Sequence, residues 1–392
     1  MGDGLQWKRR EQGLQLQLGQ ALIANQGYQA RQTLQVFEAA RSLADKIGEV
    51  GLQLPAVFGL WAGHHIAGTG SRDLAERYAE LADSQPDIGP RLIGLRMLGL
   101  ERFYEGRFEE SLVLVQRGLD SYDPVAHKDL ANRFGHDPRA SSANYKAWNL
   151  WHLGLPDQAA QTFEDNLRWT REFKHANTTG LVLCMGTMTN VWLRRTEQVE
   201  SAAREAIRLA EEVTQALWHA WSRIHLGWAL SQLDAALGLA EIEAGLHEAF
   251  QIGAGRYESF HLGIAAEAYA RAGRTDEARK RMAEAFTAQS RGHHEAFAAE
   301  LYRTRAVVSM RVEGGEPASA EADLRRALEL ARQQKALSLE LRASRDLARL
   351  LAERGEKQQA VDTLAPTFGR FTEGFDTRDL AEAADLLSEL GA

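Results

Sequence analysis

Apolar residues recur at helical spacing along the chain, and a glycine or polar residue interrupts them about every forty positions. The clearest stretch runs from Glu258 to Gln289. Leu262, Ala265, Ala266 and Tyr269 share one face of its first half, and Ala278, Met282, Ala285 and Phe286 share one face of its second; Gly273-Arg274-Thr275-Asp276 separates the halves. This spacing predicts a helix, a tight turn and an antiparallel helix. Thr275 or Asp276 is placed to accept hydrogen bonds from the free amides that open the second helix.

The interruptions fall at Gly27, Gly68, Gly106, Gly154, Arg195, Asp234, Gly273, Gly314 and Gly355, in steps of 38 to 48 residues. A period of this length belongs to stacked helix pairs, each unable to bury its apolar face alone. At four of the turns a small residue follows the glycine five positions later: Ser111, Ala159, Ala278 and Ala360. Glycine ends the first helix in a left-handed conformation, and the small side chain lets the second helix approach closely. First helices are expected near Arg10, Leu52, Arg91, Arg139, Ala176, Ala216, Glu258, Glu295 and Leu337. The expected fold is all-α: one right-handed superhelical solenoid of about nine antiparallel pairs, with a capping helix from Asp376 or Thr377 to Leu390. The repeats are placed at residues 10–50, 51–88, 89–134, 135–175, 176–214, 215–256, 257–292, 293–335 and 336–369, and the cap at 376–391. Loops are expected from Ser121 to Pro138 and from Glu313 to Ser319. Leu14 and Leu18 open the first repeat with no evident cap, so an upstream segment or self-association is expected there.

The helix pairs resemble tetratricopeptide repeats (TPRs), whose small and aromatic positions are matched by Ala266, Tyr269, Ala278 and Ala285; the units are longer than the usual repeat. A narrower resemblance rests on three stretches: Gly135-His136-Asp137-Pro138-Arg139 with the run Ala147 to Ala159, Leu217-Trp218-His219-Ala220-Trp221 with Gly227-Trp228-Ala229-Leu230, and Arg326 to Ala343 ending in Phe371-Thr372-Glu373-Gly374-Phe375-Asp376-Thr377. These look like the C-terminal repeat region of bacterial multidomain proteins that join a class III adenylate/guanylate cyclase, or another signalling module, to an AAA-type ATPase. The resemblance implies a sensing or scaffolding arm, not the cyclase or ATPase chemistry. The sequence contains no GxxxxGK[ST] loop, and Gly253-Ala254-Gly255 lacks the lysine that such a loop brings to phosphates.

Composition narrows the function classes. The 46 basic residues against 54 acidic give a net charge of −8, with no basic footprint for nucleic acid. A single cysteine, Cys184, excludes an internal disulfide and fits a reducing, cytoplasmic setting; its apolar neighbours predict an inert buried thiol. No stretch approaches the roughly 20 apolar residues of a membrane span. No cofactor and no metal are expected. The pairs His64-His65 and His293-His294 point about 100° apart on a helix and suit no shared ion, and His136-Asp137 suits a capping role.

The candidate groove is aromatic. Trp218, Trp221, His225 and Trp228 recur along one first helix, and Tyr145, Trp148 and Trp151 along another. First helices line the concave face of such arrays, so these side chains either form a ligand or peptide groove, with Arg223 or Arg96 supplying charge, or pack between neighbouring pairs; helical spacing favours packing. The charged runs Glu321 to Arg326 and Arg342 to Arg354 read as solvated helix faces with i,i+4 pairing. The function expected is non-catalytic recognition of a peptide, protein or small effector, in a signalling ATPase or nucleotide cyclase system. The alternative is a self-associating scaffold without an effector.

Overall fold

The computed structural model describes residues 2–292, 294–311 and 317–392, so Gly314 and His293 lie outside the described residues. Among the described residues there is no strand. Helices pair in chain order: α1 (Gly2–Gln26) with α2 (Arg31–Ile47), α3 (Val50–Ala67) with α4 (Arg72–Asp83), and α5 (Ile88–Tyr104) with α6 (Phe108–Asp120). The short α7 (Leu130–Phe134) occupies the expected loop. There follow α8 (Pro138–His152) with α9 (Pro156–Phe173), α10 (Ala176–Trp192) with α11 (Thr196–Glu212), and α12 (Ala216–Leu230) with α13 (Ala235–Gln251). Next come α14 (Glu258–Arg271) with α15 (Thr275–Gly292), α16 (Ala298–Arg311) with α17 (Pro317–Gln333), and α18 (Leu337–Glu353) with α19 (Lys357–Phe368). The last helix is α20 (Arg378–Leu390).

The turns work as their residues dictate. Gly106, Gly154, Gly273 and Gly355 all have positive φ, and the small residues five positions on, Ser111, Ala159, Ala278 and Ala360, are fully buried. The Ser111 hydroxyl donates to the Gly99 carbonyl at 2.7 Å, fixing that close approach. Where glycine is missing, the chain finds other means. Arg194 itself takes the left-handed conformation at φ 57°, and Asp234 caps α13 by accepting from the amides of Ala236 and Leu237 at 2.9 and 3.1 Å. Asp137 caps α8 in the same way, accepting from Arg139 and Ala140.

The apolar interior forms two principal clusters, one from Leu54 to Leu339 and one from Ala306 to Leu387, both touched by Tyr302. The superhelix winds back onto itself. Tyr257 before α14 meets Tyr104 of α5 hydroxyl to hydroxyl at 2.6 Å, and Tyr104 meets Tyr145 of α8 at 2.5 Å. Arg256 reaches across 191 positions to the carbonyl of His65 and across 185 to the hydroxyl of Ser71. Ser338 of α18 donates to the Trp151 carbonyl of α8 at 2.5 Å. Every residue of α18 from Leu337 to Ala348 is buried, so this part of the helix is enclosed on all sides, inside the turn made by earlier pairs. The concave face of the middle repeats is therefore largely filled by the chain's own later helices.

Candidate functional site

The concave side holds a cavity of about 930 Å³ walled by the first helices α10, α12, α14, α16 and α18 together with α20. Trp192, Trp228, Phe260 and Phe297 give it aromatic surface, and Ile264, Leu301, Val307, Met310 and Leu350 add aliphatic surface. Charged and polar residues outnumber the apolar ones on this wall, so it is more polar than the usual small-molecule pocket.

Charge on the wall is concentrated and ordered. Arg342 stacks over the Trp151 ring at 4.8 Å and donates to the Trp192 carbonyl at 2.5 Å, to Asp379 at 2.7 Å and to Glu300 at 3.1 Å. Arg345 contacts Asp346 and Glu382 at 2.8 Å and Asp379 at 3.1 Å. Arg194, from the turn after α10, reaches Glu382 at 2.7 Å and Asp379 at 3.3 Å, and Arg303 bridges Glu300 and Asp346 at 2.8 Å each. Four arginines thus face four carboxylates drawn from α16, α18 and α20. Burial alone would raise the Asp379 carboxyl, but Arg342, Arg345 and Arg194 outweigh it and hold it well below the usual carboxylate range. Asp346 is brought down to about 2 by Arg345 and Arg303 against the same burial penalty. The network ties the capping helix to the inner wall, so a ligand that disturbs one arginine disturbs the cap.

The residues singled out by their spacing are placed differently. Tyr145, Trp148, Trp151, Trp218, Trp221 and His225 are buried, packed between neighbouring pairs. Trp151 and Trp192 stack at 5.2 Å, Trp221 meets Tyr257 edge-on at 4.6 Å, and the Trp218 indole donates to Asn177 at 2.8 Å. Trp228 lines the cavity. Arg96 is 1% exposed, lies over Trp61 at 5.4 Å and donates to His136; burial lowers its guanidinium to about 10. Arg223 bridges Glu241 and Glu248 within the α12–α13 pair, at 2.8 and 2.7 Å. Cys184 is fully buried, and burial pushes its thiol up to about 12.

One expectation needs correction. The first part of the run from Arg342 to Arg354 is not a solvated face: Arg342, Arg345 and Asp346 are each 6% exposed and form the charged wall, while Arg349, Glu353 and Arg354 are exposed as expected. Their i,i+3,i+4 spacing resembles a surface salt-bridge pattern, and only superhelical closure puts that face inside. Glu321 to Arg326 is largely as expected, with Arg325 pairing Glu321 at i,i+4, while Asp323 is buried against Arg305. Trp192 carries no such signal in the sequence, because a lone tryptophan at a helix end has no periodicity to reveal it.

No protein-family model matches the sequence. The chain is 24% identical over 340 residues to an uncharacterized protein of Rhizobium meliloti, a match covering 85% of this chain and 33% of that one, so it spans about a third of the relative's length. Among solved structures it is similar to a Rap protein complexed with competence and sporulation factor, with a TM-score of 0.59, 10% identity, and coverage of 97% of this chain and 99% of that one. It is also similar to a signal transduction ATPase with numerous domains (STAND) carrying a tetratricopeptide repeat sensor, from Pyrococcus horikoshii; the TM-score is 0.49 at 14% identity, over 97% of this chain and 54% of that one. The protein is an all-α, TPR-like solenoid of helix pairs. At such identities the first likeness carries the fold alone.

Proposed function

We propose that the chain is a non-catalytic recognition arm, one solenoid domain whose inner cavity binds a peptide, protein segment or small effector. The observation that carries this reading is the arginine–carboxylate wall of a cavity, set beside aromatic and aliphatic surface, that the closed superhelix leaves unfilled. The motif resemblance adds the wider setting: a cytoplasmic bacterial signalling ATPase or nucleotide cyclase, attached in cis or met in trans. Coupling follows from the wall itself. Asp379 and Glu382 of the capping helix are held by Arg194 of an earlier repeat, so occupancy that favours one arrangement of these pairs shifts the superhelix between curvatures, by no more than the ligand's differential affinity for them. The test is thermal unfolding of the full chain with fractionated cell extract of bacterial origin, followed by identification of the stabilising component. A bound component whose effect is abolished by Trp228→Glu supports the reading; stabilisation indifferent to that change contradicts it.

A second reading, the self-associating scaffold, draws on α1. Trp7, Leu14 and Leu18 are exposed there on one face of the helix, an apolar stripe with no cover among the described residues. Sedimentation over a range of concentrations separates the two: a mass that rises with concentration and falls with Trp7→Glu/Leu14→Glu supports self-association, and a constant monomer mass removes it.

A further inference from the structure

Positive charge on the cavity wall is unevenly compensated. Away from the balanced arginine–carboxylate network, Arg271 and Arg311 share a single carboxylate, Glu267, at 3.5 and 3.9 Å, longer than a direct charged hydrogen bond. Arg271 donates to Gln232 at 2.5 Å, but its Nε is buried with no hydrogen-bond partner. The exposed Arg349 faces the same cavity and makes no ion pair among the described residues, and the carboxylate of Glu353, four positions on, also lines the wall. Glu267 registers the imbalance: burial would raise its carboxyl, yet Arg271, Arg303, Arg311 and Arg194 together hold it low. The Arg271 guanidinium is lowered by burial and by the like charges of Arg311, Arg194 and Arg378, against the pull of Glu267. Such a surplus attracts an anion, more at the half-buried Arg271 than at the exposed Arg311, whose charge solvent screens.

The neighbouring surface says what else the anion carries. Val307 and Met310 line the cavity within about one turn of Arg311, and Met310 is 41% exposed, an adaptable apolar contact. A volume of about 930 Å³ exceeds what a simple inorganic anion fills. We propose that the cavity binds an acidic peptide segment, a carboxylate seated on Arg271 and Arg311 and the adjacent apolar side chain on Val307 and Met310. This rests on the reading of the cavity as the recognition site. Arg349 adds to the field without being assigned a contact.

The experiment titrates the full chain with two degenerate peptide pools of equal length, one alternating glutamate with random apolar residues, the other glutamine with the same residues, and with inorganic phosphate alone. Binding is read by calorimetry at low and high salt. The glutamate pool is expected to bind about tenfold or more tightly than the glutamine pool, to weaken with salt, and to lose its advantage in Arg271→Gln/Arg311→Gln. Phosphate is expected to compete weakly. Arg349→Gln, at an exposed position, serves as a second variant that weakens the glutamate pool less. Equal binding of both pools, abolished by Met310→Glu, overturns the acidic preference and leaves cavity recognition standing. Phosphate binding as tight as the glutamate pool overturns the peptide. Binding by neither pool and not by phosphate overturns the proposal and counts against the cavity as a recognition site.

Discussion

Glu373 and Asp157 cap each other's chain segments across 216 positions: Glu373 accepts the Asp157 amide at 2.9 Å, and the Asp157 carboxylate accepts the Gly374 amide at 2.8 Å. Glu373 also takes the Gln158 amide at 3.0 Å. A carboxylate at the start of α9 thus serves free amides and the helix dipole from a distant loop. Gly374 has φ 79°, and a Cβ there would lie 2.1 Å from the Pro156 ring, so no other residue fits.

Removing the carboxylate should loosen this closure. Glu373→Ala is expected to destabilise by about 1 kcal/mol, the usual cost of a lost cap. Gly374→Ala is expected to cost more, through both its backbone and the Pro156 contact. Urea unfolding gives the energies; an unchanged midpoint for both variants would show that the latch does not contribute to stability.

Asp379 has three arginines about it, and deleting one side of a buried network leaves uncompensated charge. Asp379→Ala should cost about 3–5 kcal/mol, well beyond an exposed pair such as Arg168 with Asp165, whose loss should be worth under about 1 kcal/mol. Comparable small losses for both variants would show the wall to be solvated.

Acid should weaken the fold before the carboxylates titrate. Burial lowers His152 to about 3 and His225 to about 4, from 6.5. Between those values and 6.5 the unfolded chain binds more protons, so stability present above about pH 6.5 is lost as pH falls, by roughly 2 kcal/mol per histidine near pH 5. Asp346, lowered to about 2, adds its own loss only as pH falls below the ordinary aspartate range. Unfolding midpoints across this range check the slope, and His152→Phe should flatten it. A midpoint independent of pH from about 7 to 5 would contradict the buried neutral histidines.

The α12–α13 crossing depends on glycine at two facing positions. A Cβ at Gly238 would lie 2.4 Å from the Ser231 amide nitrogen, and one at Gly227 would lie 2.6 Å from the Gly238 carbonyl oxygen. Gly238→Ala should therefore destabilise by about 1–3 kcal/mol despite the better helix propensity of alanine. Gain of stability, read by thermal unfolding, would mean the helices lie farther apart.

Much of this architecture was legible in the residues because it is locally encoded. Helices α10, α12, α14 and α18 begin at the expected Ala176, Ala216, Glu258 and Leu337, since a broken apolar period and a turn signal act over a few positions. Superhelical closure is not local. Nothing near Arg342 says that its face will meet Trp192, 150 positions away, so a buried ionic wall is indistinguishable in sequence from a solvated salt-bridge stripe. The aromatic stripes were visible, but Tyr145 and Trp148 face the packed interior, because later helices occupy the concave side that an open array would leave free. Phe371 to Thr377 stood out as a motif, yet its role at α9 required the fold.

Closure of the superhelix on itself is what shapes the cavity, and one distance tests it directly. Lys335 pairs with Glu109 at 2.6 Å across 226 positions, both on the surface. Spin labels on Glu109→Cys and Lys335→Cys, in a chain with the buried Cys184 replaced by alanine, should give a single short, narrow distance distribution by pulsed electron resonance. A broad distribution at long range, as an open solenoid would produce, contradicts the account.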